Sequence, residues 1–152
     1  MAPEIGHPAP DVALKDQHGQ LLSLADFRGQ QNVALVFFPF AFSGLCTGEL
    51  CEIRDNLSVF TDADVQVVAI SCDPMYSLRA FADAEKYDFP LVSDFWPHGA
   101  VAQAYGVFAE GPGRAERATF LVDREGMLRW KVVNGPGEPR PISAYREAVA
   151  GL

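Results

Sequence analysis

The sequence predicts an α/β protein with a central mixed sheet flanked by helices. Three observations predict it. Residues 33–38 and 65–70 are continuous apolar runs, as expected of strands buried on both faces. Segments of helical period follow each run. A hairpin signal over residues 119–133 precedes one last helical segment, an order that builds a layered α/β domain.

Residues 11–14 alternate weakly, Asp16-Gln17-His18-Gly19 is turn-like, and residues 21–24 follow, which gives an N-terminal β-hairpin ahead of the sheet. The strand 33–38 is stopped by Pro39. Residues 45–60 read as one helix, because Leu50, Ile53, Leu57 and Phe60 recur at three and four residues. After the strand 65–70, Ser77 caps a helix through Tyr87 with Leu78, Phe81 and Ala82 inward. Residues 89–92 are strand-like, and residues 100–105 form a helix that ends at Gly106. The hairpin strands are 119–122 and 127–133, around Asp123-Arg124-Glu125-Gly126; residues 111–113 and 134–137 are loops, and the last helix covers 142–149.

A chain of 152 residues is expected to form a single domain over 1–152. Residues 1–76 carry 3 basic and 10 acidic groups and residues 77–152 carry 9 and 10, for a net charge of -8. Neither half is basic, which argues against nucleic acid or an anionic membrane as main partner. The longest apolar run, residues 33–42, falls far short of the roughly 20 residues that span a bilayer. Residues 1–10 lack the basic and apolar regions of a leader, so a cytoplasmic location is expected. His7, His18 and His98 are scattered and no glycine-rich phosphate loop is present, so neither a metal nor a cofactor is expected.

The three cysteines, Cys46, Cys51 and Cys72, are odd in number and sparse, which is no disulfide scaffold. Cys46 follows a buried strand and a Pro-containing turn and stands near the start of a helix. Unpaired N–H groups and the positive helix end stabilise an anion there, and the thiolate is the reactive form of cysteine. Position alone leaves open a small buried hydrophobe. Ser43, three residues earlier, places a hydroxyl where it could meet a substrate over the sulfur. Glu49, one helical turn later, would raise a thiol's pKa unless a cation intervenes. Arg114, Arg117, Arg124 and Arg129 are the candidates for that cation.

Pro39, Ser43 and Cys46 form Pro-x-x-x-Ser-x-x-Cys, which resembles the signature of the peroxiredoxin family. Residues 93–100 and 103–108, with Arg117-Ala118-Thr119-Phe120-Leu121-Val122-Asp123, resemble its actinobacterial alkyl hydroperoxide reductase E subgroup. The resemblance implies a thioredoxin-like fold and a thiol-dependent peroxidase acting on hydrogen peroxide and organic (alkyl or fatty-acid) hydroperoxides. It implies Cys46 as the peroxidatic nucleophile that becomes a sulfenic acid, with Ser43 bonding the peroxide and Pro39 shielding the thiolate. Arg117 would stabilise thiolate and peroxide, and Glu49 would orient that arginine. It also implies an external thiol reductant (thioredoxin-, glutaredoxin/mycoredoxin-type or a low-molecular-weight thiol) and a homodimer. The apolar Phe40, Phe42 and Leu45 suit an alkyl substrate, or simple packing.

Cys51 departs from that subgroup. The spacing Cys46-x-x-x-x-Cys51 resembles Q-type (bacterioferritin-comigratory) peroxiredoxins, whose second thiol resolves the first. In an intact helix, five residues separate Cα atoms by roughly 8.7 Å. A disulfide needs about 4.4–6.8 Å, so resolution requires the first turns to unwind. The alternative for Cys51 is a buried thiol beside Leu50, and Cys72 reads as a structural thiol. A thioredoxin-type oxidoreductase would need Cys-x-x-Cys, whereas position 49 is Glu. A redox sensor or thiol–disulfide relay would use the same reactive thiolate as a peroxidase.

Overall fold

The computed structural model describes residues 2–135, 138 and 140–152, and only the backbone of Cys46. Five strands form the central sheet: β3 (Asn32–Phe37), β4 (Val65–Ser71), β5 (Leu91–Ser93), β8 (Arg117–Val122) and β9 (Leu128–Asn134). Their order is β5-β4-β3-β8-β9. β3, β4 and β5 run parallel, whereas β8 is antiparallel to both β3 and β9. The sheet is therefore mixed, as the sequence predicts.

Alternation along the strands fills two layers. Ala34 and Val36 of β3, Val67 and Ala69 of β4 and Leu121 of β8 pack on one face. That face is covered by α1 (Gly44–Asp55), α2 (Ser58–Thr61), α3 (Met75–Glu85) and α5 (Ile142–Ala150) through Leu50, Ile53, Phe60, Leu78, Phe81 and Tyr145. Val33, Leu35 and Phe37 of β3, with Val68, Ile70, Phe120 and Val122, face the other way. There they meet Val12, Leu24, Ala102 and Tyr105, from the N-terminal region and α4 (Ala100–Ala104). Burial on both sides is why the runs carry no polar alternation.

The N-terminal hairpin is β1 (Ala13–Lys15) paired with β2 (Leu21–Ser23), and a short 3-10 turn over Leu24–Phe27 follows. The single helix expected over 45–60 is two: Asn56, at φ -122 and ψ 29, leaves helical geometry and caps α1. Leu50, Ile53 and Phe60 still reach the core, so the side-chain period survives the backbone break. α3 starts two residues before the expected cap at Ser77, with Pro74 as its N-cap, and ends at Lys86 in the left-handed region. A small hairpin, β6 (Phe108–Ala109) with β7 (Arg114–Ala115), brackets the expected loop 111–113. Of the expected loop 134–137, Asn134 closes β9, and Pro136 and Gly137 lie outside the described residues.

Candidate active site

The site forms at the C-terminal end of β3. Pro39 is buried two residues beyond the end of the strand. The loop turns into α1 through Phe42, whose φ of 67 is unusual for a bulky residue and carries strain of about 1–3 kcal/mol. Two contacts over-determine the loop. Asp73, itself bonded by the Ser71 hydroxyl at 2.7 Å, accepts the Ala41 N–H at 2.8 Å. The Phe42 ring packs on Phe81, with centroids 5.0 Å apart.

Cys46 is the third residue of α1, among the N–H groups that find no acceptor within a helix. The first turn of α1 carries no acidic residue to offset its positive end. The Cys46 side chain lies outside the described residues. Ser43 is the N-cap but makes no side-chain capping bond. Its Oγ is buried and has no hydrogen-bond partner among the described residues. A buried orphan hydroxyl costs about 1–3 kcal/mol and calls for an explanation such as a substrate contact.

Glu49 stands one turn beyond Cys46, and its buried carboxylate is caught between two arginines. Arg117 Nη1 donates to Oε1 at 2.5 Å. Arg140 donates its backbone N–H to Oε2 at 2.7 Å, Nε to Oε2 at 3.0 Å and Nη2 to Oε1 at 3.3 Å. Burial pushes the Glu49 carboxyl up. The bonds and charge of Arg140, with the bond from Arg117, outweigh burial and hold it below its ordinary 4.5. Arg140 Nη1 also donates to the carbonyls of Phe37 and Ala118, both at 2.8 Å. Phe37 and Ala118 are register partners at the end of the β3–β8 ladder, so Arg140 closes the ladder and fixes Glu49 together.

Of the four candidate cations, only Arg117 reaches Glu49. Arg124 pairs with Asp64, and Arg129 with Asp123 at 3.4 Å. The Arg114 guanidinium lies over the Phe40 ring, 6.0 Å from its centroid.

The other two thiols differ from each other. Cys51 is half-buried, with its Sγ 3.5 Å from both Glu85 Oε2 and Tyr87 Oη. Cys72 is buried at the end of β4. Burial first, then Asp94 and Asp73, push its thiol up to about 12, so it stays protonated and unreactive at neutral pH.

The AhpC/TSA family matches this chain over residues 5–131. The chain belongs to the AhpC/TSA family. It is 49% identical over 148 residues to alkyl hydroperoxide reductase E of Mycobacterium tuberculosis, covering 97% of each chain. It is 33% identical over 141 residues to peroxiredoxin Bcp of Bacillus subtilis, covering 88% of each. Among solved structures, peroxidoxin BcpB from Mycobacterium tuberculosis superposes with a TM-score of 0.89 at 27% identity, over 99% of this chain and 98% of that one. AhpC from Enterococcus faecalis gives 0.89 at 26% identity, over 98% and 92%. The fold is thioredoxin-like, and this AhpC/TSA protein is a thiol-dependent peroxidase.

Of the residues that the AhpC/TSA resemblance implies, the structure joins Glu49 to Arg117 and sets Pro39, Ser43 and the Cys46 backbone on the turn and first helical turn that lead to Glu49. Sequence reasoning missed Arg140. That residue stands in a loop between two prolines in sequence, 91 positions from Glu49. The one local signal was an arginine with no acidic neighbour at helical spacing, which is weak.

Proposed function

We propose that Cys46 is the nucleophile of the peroxidase and that hydrogen peroxide and organic hydroperoxides are its substrates. The observation that supports this best is the Arg117 guanidinium held on Glu49 one turn from Cys46. The thiolate attacks one peroxide oxygen, the O–O bond breaks, and sulfur is oxidised to sulfenic acid. The leaving oxygen takes up a proton to become water or an alcohol. Negative charge builds on that oxygen, where Arg117 and the N–H groups of the α1 terminus stabilise it. Ser43 Oγ, without a partner among the described residues, bonds the bound peroxide.

Cys51 then resolves the sulfenic acid, releasing water and forming a disulfide. α1 runs unbroken through positions 46 and 51, so its first turns unwind for this step. An external thiol, whether a thioredoxin- or glutaredoxin-type protein or a small thiol, reduces the disulfide. The enzyme works as a cytoplasmic homodimer, for which exposed Phe40, Phe42 and Trp96 supply apolar surface.

The test is stopped-flow oxidation followed by intact mass after one equivalent of hydrogen peroxide. The expected product has lost two thiol hydrogens, and Cys51→Ser instead gains one oxygen as a sulfenic acid. Oxidation no faster than that of free cysteine at the same pH rejects the nucleophile. A wild-type product that keeps two free thiols beside a sulfenic acid rejects Cys51.

A further inference from the structure

Besides meeting Glu49, Arg117 lines a cavity of about 200 Å³. It is smaller than the roughly 300–1,000 Å³ of a typical small-molecule pocket, so it takes part of a ligand or a short one. Its walls include Ala109 and half-exposed Val133. Two arginines line it: Arg117, buried, and Arg114, half-buried.

Arg114 is placed with care. The preceding residue, Gly113, has its carbonyl 2.7 Å from His98 Nε2, and the His98 ring packs edge-on against Phe95 and Phe108. β7 pairs Arg114 with Ala109 across the hairpin. The guanidinium rests near the Phe40 ring, which orients a cation without neutralising it. Among the described residues Arg114 has no ion-pair partner, whereas Arg117 and Arg140 share Glu49. Glu116 also lines the cavity and opposes an anion. Glu138 Oε1 accepts the Gly135 N–H at 2.7 Å at the same cavity, so the local charges balance and selectivity rests on the Arg114 guanidinium.

We propose that Arg114 is a specificity residue that binds the carboxylate of a short organic hydroperoxide while the peroxide end lies at Arg117. This rests on the peroxidase reading of Cys46. The cavity's volume of about 200 Å³ leaves room for only a short ligand between the two groups. The reaction is that of any hydroperoxide: sulfur gains the oxygen, the O–O bond breaks, and a hydroxy acid leaves with its carboxylate unchanged.

The test compares oxidation of the intact protein by γ-hydroperoxyisocaproate, by its methyl ester and by hydrogen peroxide. Wild type reacts with the acid about tenfold faster than with the ester, as a charge-assisted bond gives. In Arg114→Gln the acid-to-ester ratio falls to about one, and in Glu116→Gln it rises above the wild-type value. A wild-type ratio near one, or a ratio that Arg114→Gln leaves unchanged, overturns the proposal. A wild type slow with all three peroxides, hydrogen peroxide included, fails at the peroxidase reading itself and takes the proposal with it.

Discussion

Replacing Arg117 with Gln lowers the second-order rate constant for oxidation of the protein by hydrogen peroxide by roughly 10²–10³-fold, the usual effect of removing one pre-organised donor from a developing anion. Arg117 is buried, and its rotamer is set by the 2.5 Å bond to Glu49 rather than by substrate. In the proposed mechanism it needs no reorganisation when charge appears on the leaving oxygen, so its contribution is expected in the transition state. The variant stays folded, because Glu49 keeps three bonds from Arg140. A stability loss of about 1–2 kcal/mol is expected, with Tm falling by about 2–4 °C per kcal/mol in a chain of this size. Arg117→Lys recovers only part of the rate, since an ammonium cannot present the planar fork. Stopped-flow rates on refolding-checked variants decide it. A rate within about twofold of wild type removes Arg117 from the chemistry.

Glu49→Gln has its largest effect on stability, on the order of 3–5 kcal/mol, because it leaves two buried guanidinium groups without their counter-charge. That is a large share of the 5–15 kcal/mol of a typical domain. The pH dependence follows from the depressed carboxyl. Its folded pKa lies below the ordinary 4.5, so as pH falls the unfolded chain takes up the proton first. The stabilisation from the carboxylate is therefore fully present above about pH 4.5 and is lost as pH drops through the lower, folded value. Urea denaturation of both proteins from about pH 3 to pH 7 measures this. The wild-type margin over Glu49→Gln is expected to be flat at the upper end and to shrink at the lower. A margin that grows on acidification contradicts the two-arginine clamp.

Much of this molecule was legible before any coordinates. β3 and β4 announced themselves because each side chain from Val33 to Phe37 meets a hydrophobic layer, and such strands need no polar positions. The Pro39, Ser43, Cys46 and Glu49 group was legible because one turn and one helix hold it, so spacing in sequence is spacing in space. Other features depend on distant partners. The break at Asn56 conserves the apolar period, and period was the signal used. The β6–β7 hairpin is two residues deep, below the length at which alternation can be seen. Arg140 is buried by strand ends that no local pattern reports.

The Glu49–Arg140 clamp also has a temporal meaning. Its partners lie 91 residues apart, and the Arg140 contact to Phe37 spans 103. Contacts of such separation close late, after shorter loops have formed. At roughly 5–20 residues per second of synthesis, position 49 is made on the order of 5–20 s before position 140 exists. Throughout that interval Glu49 has no Arg140 to lower its pKa, and the β3–β8 ladder has no cap. The electrostatic surroundings of Glu49 are therefore complete only once residue 140 has been made.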